Sequence, residues 1–217
     1  MNRQTSSGLR RQDRFARWAP QYENGEVMSR LLSGLQTRAA AMLHLGPDDR
    51  FLDVGCATGA AVRVASATVE FALGVDSSAA MIQRARVLAA ARPRAAFVVA
   101  DAQQLPFPPA TFSAVLCSTA LRHFPDATCA AAEMVRVLTP AGRMVIADFP
   151  VRVDRRRQRW WRGQHHPSAV PHCTDPAQAV AATKLVATEL LRCQTALGPY
   201  VIVSAVKPYS LVDHRIR

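Results

Sequence analysis

From residue 51 to residue 148, short apolar runs alternate with helical stretches, and each of the first three runs delivers an aspartate. The first run is Phe51-Leu52-Asp53-Val54, closed by a turn from Gly55 to Gly59. The second covers 70–75 and stops at Asp76; the third covers 96–100 and stops at Asp101. Between them, 60–67 is rich in Ala and Val, and 78–91 sets Met81, Ile82, Ala85, Leu88 and Ala89 on one helical face. A strand at 112–117, a helix at 126–138 and a strand at 143–148 extend the pattern. Such alternation predicts a parallel sheet covered by helices on both faces, with right-handed crossovers.

The flanks fit around this unit. Residues 28–44 carry Met28, Leu31, Leu32, Leu35, Ala39, Met42 and Leu43 at helical spacing, ended by Gly46-Pro47. Asp175 reads as an N-cap with Pro176 at the first helical position, opening a helix expected to run to 187. Strands at 188–196 and 200–206 are joined by Leu197-Gly198-Pro199, so they are antiparallel. The expected fold is α/β: a doubly wound seven-stranded sheet, mostly parallel, with an antiparallel C-terminal strand. At 217 residues, 49% apolar and 20% charged, the chain suits one folded domain and excludes a disordered one. No apolar run approaches the ~20 residues that span a bilayer, and the basic N-terminus has no apolar stretch of a secretory signal. Five cysteines without a CxxC read as reduced, buried thiols in a cytoplasmic protein. Net charge is +11, and Lys184 and Lys207 are the only lysines. That arginine excess reads either as phosphate or carboxylate binding or as a compositional habit.

Ligands of open parallel sheets bind beyond the carboxyl ends of the strands, where strand order switches. Glycines there let backbone N–H groups approach a ligand. Asp76 falls about twenty residues past Gly55, where a carboxylate accepts both hydroxyls of a ribose. A dinucleotide would need G-x-G-x-x-G, but the chain reads Gly55, Ala57, Ala60. It would also face Asp53, which sits badly beside phosphates and well beside an ammonium or sulfonium. The combination favours S-adenosylmethionine.

Five segments carry a resemblance: RFARWAPQYE (14–23), FLDVGCATGAAV (51–62), GVDSSAAMIQRAR (74–86), FVVADAQQLPFPPATFSAVLCSTALRHF (97–124) and EMVRVLTPAGRMVIADF (133–149). In this order and spacing the chain resembles class I S-adenosylmethionine-dependent methyltransferases, in the small-molecule branch of ubiquinone/menaquinone C-methyltransferase-like enzymes. The resemblance implies the Rossmann-like form of the sheet, S-adenosyl-L-methionine as cofactor and S-adenosyl-L-homocysteine as product. It also implies roles. Gly55, Cys56 and Ala57 lie along the methionine part of the cofactor, and Asp53 holds its amino group. Asp76 binds the ribose diol with Ser77 nearby, and Met81 packs on the adenine. Asp101 accepts from the adenine amino group, and the Ala102 N–H donates to a ring nitrogen. The Cys117 carbonyl meets the ammonium, and Tyr22 closes over the cofactor. Four positions depart from the family pattern. Ala57 and Ala141 replace glycines, small for small. Ser113 stands for an aspartate and Arg122 for a histidine, both expected near the active site.

Methyl transfer from a sulfonium needs alignment more than a strong acid or base. His123 is the candidate base, or else only a local hydrogen-bonding group. Trp160 and Trp161, set among arginines from Arg152 to Arg162, read with Arg122 as substrate-binding residues in a lid at 150–175. The other readings are nucleic-acid contact and a plain loop with its tryptophans in the core. His165, His166, His172 and Cys173 lack the spacing of a zinc site, so no metal is expected. The expected organisation is one domain over 1–217, with 1–45 as a helical cap. The expected acceptor is a small organic molecule, with no membrane association, as a monomer or homodimer. RNA or protein methylation is the alternative, although strand four lacks the Asn/Asp-Pro-Pro-aromatic motif of base methylation. A non-catalytic partner protein of the same fold is the third reading.

Overall fold

In a computed structural model of the chain, residues 28–150, 175–195 and 197–209 are described, together with Ala19 and Tyr22. Helix α1 (Met28–Ala41) leads into β1 (Arg50–Val54), α2 (Ala60–Ala65), β2 (Phe71–Asp76), α3 (Ala79–Leu88) and β3 (Ala95–Val99). Then come β4 (Phe112–Ser118), a 3-10 turn at Leu121–His123, α4 (Ala127–Val137) and β5 (Leu138–Asp148). Helix α5 (Pro176–Ala181) and the hairpin β6 (Val186–Thr195) and β7 (Gly198–Val206) finish the described chain.

Local chemistry sets the helix starts. Asp126 accepts from the Thr128 and Cys129 N–H groups at 2.9 Å each. Asp175 accepts from Ala177 at 2.8 Å, with Pro176 supplying a helical φ where no N–H is needed. Ser78 caps α3 by accepting from Met81. The expected helix to 187 instead ends at Ala181. The Thr183 hydroxyl donates back to the Val180 carbonyl and accepts from the Leu185 N–H, closing the helix. The chain then enters β6 at the β-branched Val186.

The strands form one seven-stranded sheet in the order β3-β2-β1-β4-β5-β7-β6. Strands β1 to β5 run parallel, and β7 is antiparallel to both its neighbours. Order reverses between β1 and β4, so the crevice expected for a ligand opens at their carboxyl ends. Alternate residues face opposite layers. Leu52, Val54, Leu73 and Val75 pack with Ala130, Met134 and Val180 from α4 and α5. Phe51, Ala72 and Leu116 pack with Ala39, Val62 and Ile82 from α1, α2 and α3. Each fully buried large side chain contributes about 1.5–3 kcal/mol.

Two expectations need correction. Ala57 and Ala141 are not neutral replacements for glycine: both take a left-handed backbone, φ 47° and 59°, which an L side chain enters at a cost of about 1–2 kcal/mol. The cysteines are not uniformly buried. Cys56 and Cys117 are, but Cys129 is exposed and Cys193 half-buried, all four as free thiols; Cys173 lies outside the described residues.

Candidate functional site

The site begins at the turn after β1. The Gly55 and Cys56 N–H groups donate to the Val75 carbonyl at 2.8 and 2.9 Å, tying the turn to β2. Gly55 has φ +79°, and a Cβ there would fall 2.4 Å from the Ala120 Cβ beyond β4. Gly59 has φ +77°, and a Cβ would fall 2.3 Å from the Phe97 ring. Only glycine fits either place. One carboxylate then organises the backbone: Asp76 Oδ2 accepts from the Ala57 N–H at 3.0 Å and Oδ1 from the Ser78 N–H at 2.9 Å.

Asp53 is treated differently. It is 5% exposed, and no hydrogen bond reaches its carboxylate among the described residues. Burial, and secondarily the charge of Asp76, push it up to about 7. Burial also raises Asp76, but the Ser78 and Ala57 N–H groups pull it back. Tyr22 reaches the same place from the segment before α1. Burial raises its phenol, Arg122 opposes this, and Asp76, Asp53 and Cys56 push it further. Asp53, Asp76, Cys56, Tyr22 and Arg122 therefore share one electrostatic neighbourhood. A carboxylate raised by burial and by a neighbouring carboxylate fits a cationic ligand, which would offset both. The ammonium or sulfonium of S-adenosylmethionine meets that requirement.

The other expected residues spread around the crevice. Ser77 is exposed, and it is Ser78 that caps α3. Met81 is 1% exposed. Asp101 is exposed, its Oδ1 accepting from the Gln103 N–H at 2.9 Å, while Ala102 is buried. Cys117 is fully buried, one residue inside the end of β4 and opposite Ile146. His123 sits half-buried in the 3-10 turn, its N–H donating to the Ala120 carbonyl. Trp160 and Trp161 lie outside the described residues, as does 151–174 of the expected lid at 150–175. Ser113 does not lie near this crevice. It stands at the amino end of β4, where its hydroxyl donates to Asp49 and accepts from the Arg50 N–H.

Two residues here escaped the sequence reading. Asp148, fully buried at the end of β5, accepts from the Arg122 guanidinium, the Arg122 N–H and the Phe149 N–H. The same guanidinium lies 5.5 Å from the centre of the Phe149 ring. The available signal was that Asp148 is a further aspartate ending a strand of the same alternation. Thr119 follows β4 with φ 57°, strained for a β-branched residue; its N–H donates to the Ala147 carbonyl at 2.7 Å. No sequence signal marks it.

Sheet order, turn and paired carboxylates define the class I S-adenosylmethionine-dependent methyltransferase fold. Residues 52–146 match the family described as Methyltransferase domain. Demethylmenaquinone methyltransferase of Deinococcus radiodurans is 38% identical over 148 residues, covering 64% of this chain and 60% of that protein. 27-O-demethylrifamycin SV methyltransferase of Amycolatopsis mediterranei is 38% identical over 119 residues, covering 53% and 44%. The chain thus spans about half the length of the curated relatives it matches. In fold, the N-methyltransferase NodS of Bradyrhizobium japonicum, solved with S-adenosyl-L-homocysteine, aligns with a TM-score of 0.69 at 20% identity, covering 93% of this chain and 98% of that one.

Proposed function

We propose that the protein transfers a methyl group from S-adenosylmethionine to an oxygen, nitrogen or carbon of a small organic molecule. The carrying observation is Asp53, a buried carboxylate that no hydrogen bond from the described residues reaches, beside the glycine turn and the pinned Asp76. Asp53 neutralises the ligand's ammonium, and Asp76 takes the ribose hydroxyls while it fixes the turn. The Gly55–Ala57 backbone and Cys117 line the methionine arm. Met81, Asp101 and Ala102 hold the base, and Tyr22 covers the cleft. When bound, the cofactor supplies a methyl group on a sulfonium, activated for in-line displacement. The chain's own contribution is alignment and exclusion of water, worth several kcal/mol of barrier. His123 takes the acceptor's proton where one must leave. The names of the relatives point to small acceptors, a demethylmenaquinone and a demethylrifamycin.

We read 1–217 as one domain with a cap at 1–45 and a substrate lid at 150–175. We also read the protein as cytoplasmic, supported by the free thiols of the four described cysteines. Among the described residues no helix is long and apolar enough to cross a membrane. Calorimetry with S-adenosylmethionine tests the site: Asp76→Ala should abolish binding while circular dichroism stays unchanged. Unchanged affinity sinks the assignment. His123→Ala should slow turnover of a small acceptor without weakening cofactor binding. The charge of +11 favours RNA as the alternative acceptor; an RNA complex lost steeply with added salt, in step with activity, would establish it.

A further inference from the structure

The loop after β3 carries Asp101 and Ala102; the Ala100 N–H ties its start to the Asp76 carbonyl of β2 at 3.1 Å, and α4 holds the stretch that follows. The Asp126 N–H donates to the Gln103 side-chain oxygen at 2.6 Å. Glu133 Oε2 accepts from the Leu105 N–H at 2.8 Å. Arg136 donates through Nη2 to the Leu105 carbonyl at 2.9 Å and through Nη1 to the Phe107 carbonyl at 2.7 Å. Glu133 and Arg136 hold each other in a fork, Nε to Oε1 at 2.7 Å and Nη2 to Oε2 at 2.8 Å. Both ionic side chains keep contact with water, 19% and 32% exposed. The anchoring of α4 in the core falls to other residues, Ala130, Ala131, Met134 and Val137. The fork therefore spends its hydrogen bonds on loop backbone and not on the core. Asp101 itself is exposed and is oriented locally by the Gln103 N–H.

Resting on the cofactor reading above, we propose that Gln103, Glu133 and Arg136 are positioning residues that splint the Asp101–Phe107 loop to α4 and thereby set recognition of the adenine edge. A charge-assisted fork is planar and directional, so it fixes the loop more sharply than neutral contacts would. A carboxylate aimed at an adenine amino group rejects a base that presents oxygen there, but only while its aim holds.

The test is calorimetric binding of S-adenosyl-L-homocysteine and S-inosyl-L-homocysteine to the full chain. Wild type should prefer the adenosyl compound by about tenfold or more. Arg136→Lys, Glu133→Gln and Gln103→Met should each shrink that preference about threefold or more with an unchanged circular dichroism spectrum. On an Asp101→Asn background the same changes should have no further effect on the ratio. Gln103→Met alters only a surface contact, and its ratio decides the matter if the α4 variants do not fold. An unchanged ratio in the folded variants, or an equal loss for both ligands, overturns the splint and leaves the cofactor site standing. Wild type that binds neither ligand overturns the cofactor reading and the splint together.

Discussion

The first strand has an aspartate at each end, and the two live under opposite rules. Asp49, just before β1, is saturated with donors: the Gly46 N–H at 2.7 Å, the Ser113 hydroxyl at 2.6 Å and the Arg143 guanidinium at 2.6 Å. Burial pushes its carboxyl up, but these hydrogen bonds and the Arg143 charge outweigh burial and hold it below the usual range. Asp53, four residues on, is buried beside another carboxylate, and its carboxyl is driven to about 7. One end of the sheet spends its polar groups on holding the fold; at the other, no hydrogen bond from the described residues reaches the Asp53 carboxylate. Asp148 shows that location alone does not decide this. It too ends a strand in the crevice region, yet Arg122 and two backbone donors satisfy it.

The largest expected effect comes from breaking that satisfied pair. Asp148→Ala should lower stability by about 3–5 kcal/mol, the cost of leaving one charge of a buried pair behind. Urea denaturation measures it. A loss under 1 kcal/mol would place Asp148 with the open carboxylates and not with Asp49. Exchanging the two ends of β1 follows in size. Asp49→Asn should cost about 1–3 kcal/mol and leave the Kd for S-adenosylhomocysteine unchanged. Asp53→Asn should weaken that Kd about tenfold or more and raise the Tm at pH 8, because a buried charge beside the Asp76 carboxylate is removed. If Asp53→Asn lowers the Tm instead, the carboxylate is part of the scaffold.

How much of this contrast the chain announces depends on what each feature is made of. The parallel order, the turn at Gly55–Gly59 and the carboxylates at 53, 76 and 101 follow from periodicity and short-range motifs, and all stand at the sheet's carboxyl ends. Long-range pairing is silent in the sequence. Ser113 looks like an active-site departure until β4 places it at the amino end, against an aspartate 64 positions away. Arg122, expected to meet substrate, also donates its guanidinium to Asp148, 26 residues on, a partner that no local pattern announces. The helix after Asp175 was legible at its cap and not at its end, since a single hydroxyl, Thr183, closes it.

Proton linkage gives the same contrast a pH axis. Asp53 rises from 3.8 to about 7 on folding, so between those values the native protein holds a proton that the unfolded chain has lost. Its contribution to stability is complete below pH ~4 and disappears as pH climbs through 7. Asp49 runs the other way: its contribution is present above its ordinary value and is lost as pH falls through its lowered native value. A cationic ligand needs Asp53 ionised, so affinity for S-adenosylmethionine should rise up to about tenfold per pH unit below 7 and level off above it. Asp53→Asn should flatten that rise, and a wild-type profile already flat from pH 5 to 8 would remove Asp53 as the counter-ion.

The smallest effect tests whether strain is also divided between the two ends. Ala141, before the regular part of β5, holds φ 59° while its N–H donates to the Lys207 carbonyl at 2.9 Å. Ala57 holds φ 47° while its N–H pins Asp76. Glycine removes the steric cost at either place and gives back part of the gain through unfolded-chain entropy, leaving about 0.5–1 kcal/mol of stabilisation. Ala141→Gly should deliver that gain with the S-adenosylhomocysteine Kd unchanged. Ala57→Gly should deliver the same gain and weaken the Kd, because the added backbone freedom loosens the amide that orients Asp76. Thermal melts and calorimetry on the two variants separate these outcomes. A stabilised Ala57→Gly protein with wild-type affinity would mean that the left-handed alanine at the crevice is as incidental as the one at the opposite end.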